Sequence, residues 1–148
     1  MVFIDIHILD YDGNLFDTAS LASLAALMTA KVPIERLKPI FENIQEKYPI
    51  IEKYLKEHPK DFPLPLSNPP ISCTSAKFNG IVVMDPSLDE EQIAEARLTI
   101  ATDTEGDIRA MQKGLNGSFS VDEIKKVIKS SIDNGKKIRE QLYKSVGK

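Results

Sequence analysis

The sequence contains few of the residues that build covalent or metal-linked frameworks. It has one cysteine, two histidines and no tryptophan among 148 residues. As the only cysteine, Cys73 cannot form a disulfide within the chain, and no cysteine–histidine cluster has metal-ligand spacing. Such sparse use of cysteine is typical of proteins from a reducing compartment. We therefore expect an apolar core to hold the fold, with no metal ion or other cofactor.

The chain also lacks an excess of basic residues and a long apolar segment. Its 22 acidic residues outnumber its 19 lysines and arginines, which gives a net charge of -3 and a pI near 5.4. This balance excludes a generically basic nucleic-acid-binding protein, although it is compatible with a local basic patch shared with a partner. No apolar run approaches the roughly 20 residues of a membrane span, and no signal-peptide pattern is present. We expect a soluble, cytoplasmic protein.

The first thirty residues predict a strand, a turn and a helix. Val2–Leu9 alternates between two faces, as in a strand half-buried in a sheet. Asp12-Gly13 predicts a turn, and Asp17 or Thr18 stands where the N-cap of the next helix belongs. From Thr18 to Ala30 this helix is uncharged and rich in small residues, so we expect neighbours on several of its sides.

The middle of the chain predicts a helical segment and then a connector. Apolar residues recur at intervals of three and four over Ile34–His58, which indicates an amphipathic helix. Pro49 lacks an N–H and divides this segment into two pieces. Five prolines within Pro59–Pro70 favour an extended connector, and we place a boundary near Leu66. The predicted domains are residues 1–66 and 67–148.

The second half predicts two hairpins. Asn79-Gly80 separates two β-rich runs, Ile71–Phe78 and Ile81–Asp85, and best accommodates a type I′ turn. After a short helical turn at Ser87–Ala94, a second hairpin joins Arg97–Thr102 to Ile108–Lys113. The expected core contacts of this hairpin are Leu98, Ile100, Ile108 and Met111.

A long helix follows the hairpins. Ser120 and Glu123 form a capping box at its start. Its predicted apolar stripe consists of Val121, Ile124, Val127, Ile128, Ile132, Ile138 and Leu142. The second half is therefore ββββα, and the chain belongs to the mixed α/β (α+β) fold class.

Several motifs in this order resemble RNase PH-like proteins, and among these the non-catalytic RNase PH-like subunits of the archaeal exosome. The motifs are the Asp-Gly turn before Thr18-Ala19-Ser20-Leu21, the proline connector, Asp85–Glu91, and Gln112-Lys113-Gly114. The likeness covers Leu9–Val32 and Pro70–Arg139. It implies that residues 1–66 are the later part of the first RNase PH-like domain and that residues 67–148 are a complete second domain.

The resemblance also implies that the mostly β-sheet beginning of the first domain is absent from this sequence. The apolar helix at Thr18–Ala30 cannot bury itself against the amphipathic segment alone. Each leucine or methionine left in water would forfeit roughly 1.5–3 kcal/mol. We therefore expect a separate chain to supply the missing sheet.

Active relatives degrade RNA from its 3′ end by letting inorganic phosphate attack the terminal phosphodiester bond. The resemblance implies that a Gly-Gly-Thr-Arg turn at the start of the small-residue helix holds this phosphate. The matching positions here are Gly13-Asn14-Leu15-Phe16, followed by Asp17. The arginine is missing and a carboxylate follows, so we expect the turn to repel phosphate.

The resemblance implies a second site, an aspartate that serves as general acid or magnesium ligand. In ungapped register this position is Arg97, which can neither bind a metal nor donate a proton at neutral pH. Glu91 and Glu95 offer an alternative metal site, but acidic surface residues of a short helix are the simpler interpretation. Gly13, Asn14, Phe16 and Arg97 are thus predicted to be vestigial, and no residue is assigned to RNA binding.

The sequence therefore predicts a non-catalytic structural and RNA-channel subunit of the exosome. The implied partners are a catalytic RNase PH-like subunit in a hexameric ring, RNA-binding cap proteins and RNA. Two alternatives remain open. One is an active phosphate-dependent 3′–5′ exoribonuclease or nucleotidyltransferase with a rearranged site, and the other is an α/β interaction module unrelated to RNA.

Overall fold

Helices and antiparallel strands make up the computed structural model, which describes residues 2–44, 46–48 and 50–147. The helices are α1 (Leu15–Thr29), α2 (Ile34–Ile44), α3 (Ile50–Glu57), α4 (Leu88–Ile93) and α5 (Val121–Ser145). The strands are β1 (Lys31–Val32), β2 (Phe62–Pro63), β3 (Ile71–Phe78), β4 (Ile81–Met84), β5 (Ala96–Thr102) and β6 (Ile108–Gly114). The predicted α+β class is confirmed.

These elements form two compact units. The first unit, residues 1–25 and 67–148, contains a four-stranded sheet in the order β4-β3-β5-β6, with α4 and α5. The second unit, residues 26–66, contains α2, α3 and the paired strands β1 and β2. The domain boundary near Leu66 stays a prediction. None of the helices in the described part of the chain has the length and apolar character needed to cross a membrane.

Turn residues explain both hairpins of the first unit. Asn79 and Gly80 have φ angles of 48° and 74°, the two positive values of a type I′ turn, and Phe78 pairs directly with Ile81. In the second hairpin, the Asp103 carboxylate accepts hydrogen bonds from the backbone N–H groups of the turn that leads into β6. Both predicted hairpins are confirmed.

The core of this unit lies where α5 covers β3 and β5. Leu98, Ile100 and Val127 are buried together. A Cβ on Gly135 would lie 2.9 Å from the Thr102 hydroxyl, so the glycine lets α5 approach the sheet closely. The predicted capping box is present, since the Ser120 hydroxyl accepts from the Glu123 N–H at 3.3 Å.

Three predicted core residues are exposed instead. Ile108 and Met111 are 42% and 47% exposed because β6 is an edge strand, outside the area that α5 covers. Val121 is 68% exposed because it is the first residue of α5 and precedes the turn that reaches the sheet. The spacing of apolar residues identified the apolar faces of β6 and α5. It could not show how far α5 and the sheet cover one another.

The predicted strand Val2–Leu9 is wrong for this chain as it stands. Residues 2–8 have no regular secondary structure, and within the described residues their backbone groups have no strand partner. A strand requires a neighbouring strand to receive its N–H and C=O groups, and the four-stranded sheet of this unit does not provide one here.

The predicted N-cap of α1 is also wrong. The helix begins at Leu15, so Asp17 and Thr18 lie inside its first turn. The Asp17 carboxylate is used for a contact with the sheet, described below, and the preceding Asn14 has a left-handed φ of 45°. The Asp17 carboxylate therefore binds the sheet and does not cap the helix as its place in the sequence had predicted.

The second unit is closed by pairing between its ends. Val32 pairs with Phe62, so the predicted extended connector contributes a short strand. The helical segment forms two pieces as predicted, while Pro49, the expected point of division, lies outside the described residues. The His58 ring lies 4.7 Å from the Tyr54 centroid and 4.4 Å from that of Phe62.

Matched substitutions in the second hairpin test this account of the core. Ile100→Ala is expected to lower the free energy of unfolding by roughly 2–5 kcal/mol, because it leaves a cavity beneath α5. Ile108→Ala removes the same atoms from the exposed edge strand and is expected to cost about 1 kcal/mol or less. Denaturant unfolding of both variants measures the difference, and equal losses would contradict the burial described here.

Candidate functional site

The turn before α1 packs tightly on the chain that leads into α4. Gly13 has a φ of 99°, and a Cβ there would lie 2.5–2.6 Å from backbone atoms of Pro86, Ser87 and Leu88. Real side chains do not tolerate such distances, so only glycine fits at this position. The turn is thereby fixed against the second half of the chain.

Asn14 is the centre of a hydrogen-bonded cluster of carboxylates. Its side-chain amide donates to Asp17 at 2.9 Å and to Asp85 at 2.6 Å, and its backbone N–H donates to Glu91 at 3.2 Å. The residue is only 4% exposed. An asparagine has three N–H hydrogens to donate, and all three are used here on carboxylates of the same chain.

Asp17 joins this cluster to the centre of the sheet. Its carboxylate accepts from the Thr74 backbone N–H at 2.6 Å and from the Thr74 hydroxyl at 2.8 Å. The Thr74 carbonyl accepts from the Asp85 N–H, just after β4 ends at Met84. The pairing of β3 with β4 ends at Ser75 and Met84. At the next residue of β3, Thr74, the Asp17 carboxylate therefore supplies the acceptor that a strand would otherwise provide.

Glu91 lies beside the N-terminal end of α1 and accepts a second hydrogen bond there from the Tyr11 hydroxyl. This hydrogen bond to Glu91 raises the pKa of the Tyr11 hydroxyl above its ordinary value, because the carboxylate favours the protonated phenol. Helix N-termini attract anions, and the anion present at this one is the chain's own Glu91.

Arg97 is held between an aromatic ring and a glycine. Its guanidinium carbon lies 4.2 Å from the centroid of the Phe16 ring. Gly114, its cross-strand neighbour on β6, has no side chain, and a Cβ there would lie 3.0 Å from the Arg97 Nη2 atom. A cation stacked on a ring in this way gains about 0.5–1 kcal/mol at a partly exposed position.

The structure brings together the positions singled out from the sequence. Phe16 stacks on Arg97, while Gly13 and Asn14 lie in the adjoining turn. Sequence reasoning missed the contributions of Tyr11, Asp85 and Glu91 to the cluster. Asp85 and Glu91 belong to a motif that carried the resemblance, but nothing in the local pattern indicated that they would contact the turn.

The two glutamates considered as metal ligands serve different contacts. Glu91 binds the turn, whereas Glu95 accepts from the Asn79 N–H at 3.2 Å. Among the described residues, no group of three or more histidine, cysteine, aspartate or glutamate side chains is arranged to hold a metal ion.

A cleft of about 580 Å³ opens beside Asp17. Its lining includes Leu21 of α1, Ser72 and Cys73 of β3, and Lys137 of α5. Burial raises the pKa of the Cys73 thiol to about 11, and the thiol donates weakly to the Ser131 carbonyl. Cys73 therefore stays protonated near neutral pH and is not an activated nucleophile.

The contact between Tyr11 and Glu91 can be tested by titration. Glu91→Ala is expected to lower the pKa of Tyr11 toward its ordinary value, because both the acceptor and its negative charge are removed. The measurement is phenolate absorbance against pH, from which the titration of a Tyr11→Phe variant is subtracted. Glu95→Ala is the matched control and is expected to leave the Tyr11 titration unchanged. An equal shift in both glutamate variants would contradict the described geometry.

The chain is similar to several known archaeal proteins. The Exosome complex component Rrp42 of Thermoplasma acidophilum is 43% identical over 97% of this chain and 48% of its own length. The same component of Thermococcus gammatolerans is 43% identical over 99% of this chain and 50% of its own length. The chain also resembles a solved structure, the Archaeoglobus fulgidus exosome with RNA bound to the active site. The match covers 90% of this chain and 45% of the chain in that structure, with a TM-score of 0.72 and 32% sequence identity.

The chain thus spans about half the length of the curated relatives it matches. Residues 1–33 match domain 1 of the 3′ exoribonuclease family, and residues 68–134 match domain 2. The two matches follow each other in the order of the domains, and the fold is RNase PH-like. The chain belongs to the 3′ exoribonuclease family.

Proposed function

We propose that this chain is part of a non-catalytic structural and RNA-channel subunit of an exosome ring that degrades RNA from its 3′ end. The relatives named exosome components support this role, as does the similar structure that holds RNA. The geometry of the turn before α1 supports the non-catalytic assignment. In active relatives, this turn is implied to hold the attacking phosphate.

The observation that carries the proposal is that the donors of Asn14 are already used. A phosphate site at a helix N-terminus requires N–H groups that point at the ligand. Here the backbone and side-chain N–H groups of Asn14 bind Asp17, Asp85 and Glu91. Binding phosphate in this turn would require breaking these hydrogen bonds.

The charge at the turn also opposes phosphate. Two like charges about 4 Å apart near a protein surface repel by about 4 kcal/mol. Three carboxylates surround Asn14, and the position implied to carry arginine is Phe16. Loss of even one preorganised donor typically lowers an enzyme's rate by about a hundredfold to a thousandfold.

Arg97 does not restore a catalytic group. A guanidinium is a cation that only donates hydrogen bonds, so it can neither coordinate magnesium nor replace the acid that an aspartate would supply. Its stacking on Phe16 instead gives it a structural role, because it fixes the start of α1 against β5 and β6. The two altered positions have thus become packing partners of one another.

The proposed partners follow from the resemblance to RNase PH-like exosome subunits. They are a catalytic RNase PH-like subunit that alternates with this one in a hexameric ring, RNA-binding cap proteins, and RNA threaded through the channel. In such a ring, this chain would complete the interfaces and orient the active site of its catalytic neighbour.

Reconstitution tests this function. The chain, alone or with the first half of an archaeal relative, is expected to release no nucleoside diphosphates from 3′-labelled RNA in phosphate buffer. Addition of the catalytic subunit is expected to give more activity than that subunit shows alone. A catalytic subunit whose phosphate-binding arginine is replaced serves as the negative control.

Phosphorolysis by the chain without its catalytic partner would overturn the proposal. In that case, loss of the activity in an Arg97→Ala variant would identify a rearranged active site. If the catalytic subunit gains nothing from the chain and does not bind it, the remaining interpretation is an interaction module unrelated to RNA.

A further inference from the structure

The sequence contains three asparagines that are followed directly by glycine, at Asn79-Gly80, Asn116-Gly117 and Asn134-Gly135. Asparagine is a thermolabile residue, because its side-chain amide can be attacked by the backbone nitrogen of the next residue. A glycine at that position has no side chain to obstruct the attack. The glycine nitrogen must lose its proton to react. The three pairs therefore share one intrinsic chemistry, and the fold determines which of them reacts.

The hydrogen bonds of the three glycine N–H groups differ. The Gly117 N–H donates to the Glu95 carbonyl at 2.7 Å. Gly135 lies inside α5, where backbone N–H groups are bonded to the preceding turn. In the part of the chain that the structure describes, the Gly80 N–H has no hydrogen-bond acceptor. A bonded amide loses its proton only when the surrounding structure opens, so the Gly80 nitrogen is the most available of the three.

Packing around the three glycines also singles out the first pair. A Cβ on Gly117 would lie 2.6 Å from a neighbouring backbone oxygen, and one on Gly135 would lie 2.9 Å from the Thr102 hydroxyl. Among the described residues, only the chain neighbours of Gly80 come within 4 Å of a Cβ placed there. Asn79 and Gly80 are both exposed at the tip of the first hairpin, whereas Gly135 is buried. Cyclisation at Asn79 therefore requires only that an exposed turn opens.

We propose that Asn79 is a site of spontaneous covalent modification. The deprotonated Gly80 nitrogen attacks the carbonyl carbon of the Asn79 side chain. The bond from that carbon to the amide nitrogen breaks, and ammonia leaves with the proton that the glycine nitrogen lost. A five-membered succinimide ring remains, and water adds to either of its carbonyl groups and opens it, which gives aspartate or isoaspartate. Solvent water is the only co-reactant, and no atom is oxidised or reduced.

The two products differ in their effect on the first hairpin. Aspartate keeps the main chain unchanged, and Asp-Gly suits a type I′ turn as Asn-Gly does. Isoaspartate routes the main chain through the side chain and so lengthens a turn in which Phe78 pairs directly with Ile81. The register of a hairpin depends on the length of its turn. We therefore expect the isoaspartate form to lose the pairing of β4 with the end of β3, and the aspartate form to keep it.

The test follows the reaction in the full chain, incubated in neutral to mildly alkaline buffer. Mass spectrometry of its proteolytic peptides measures the gain of about 1 Da at each asparagine. In the folded chain, we expect Asn79 to react at least about tenfold faster than Asn116 or Asn134, because the protected sites react only during local opening. In the chain unfolded in urea, we expect three similar rates. Equal rates in the folded chain, or no reaction at Asn79 while the unfolded chain reacts, would overturn the proposal.

Two variants complete the test. Asn79→Gln keeps an amide but would have to close a less favourable six-membered ring, so the mass gain at this position is expected to disappear. Asn79→Asp represents the aspartate product and is expected to keep the amide-exchange protection of β4, whereas aged chain that carries isoaspartate is expected to lose it. Equal protection in these two forms would contradict the expected effect on the hairpin. The measurements use no RNA and no partner chain, so their outcome is independent of the proposed function.

Discussion

The contact on which the first unit depends is the pair of hydrogen bonds from Thr74 to Asp17. Strand β3 lies inside the sheet, yet β4 stops pairing with it at Ser75, so the Thr74 N–H would lack an acceptor. A buried, unpaired N–H costs about 1–3 kcal/mol. Asp17 supplies that acceptor from α1, and in doing so it fixes the helix on the sheet. The position of the turn, the burial of Asn14 and the stacking of Phe16 all follow from this placement.

Elements specified by neighbouring residues could be predicted from the sequence, and elements specified by distant ones could not. Asn79-Gly80 determines its hairpin through two positive φ angles, and Ser120 with Glu123 determines the start of α5. The burial of β6 depends on its place at the edge of the sheet, which no local pattern encodes. The pattern at Val2–Leu9 specifies a strand only when a neighbouring strand exists.

In the candidate site too, the sequence indicated some of the residues but not the distant contacts that they make. The resemblance singled out Asn14, Phe16 and Arg97, and the structure places these residues in one cluster. The resemblance could not indicate that Tyr11 and Glu91 complete this cluster, because the two residues are separated by 80 positions in sequence. The donors of this turn are not left open. Two of them are paired with Asp85 and Glu91 from the second half of the chain and the third with Asp17 of α1, so these hydrogen bonds fix the turn to the second half of the chain.

The exposed edge strand β6 has a consequence for how the chain behaves at high concentration. Ile108 and Met111 offer apolar surface beside unpaired backbone groups, a combination that favours edge-to-edge association. Arg109 and Lys113 alternate with them, and both are held locally, Arg109 by Asp103 and Lys113 by the Leu115 carbonyl. Each cation is thus kept along the edge, where its desolvation would oppose the arrival of a second strand.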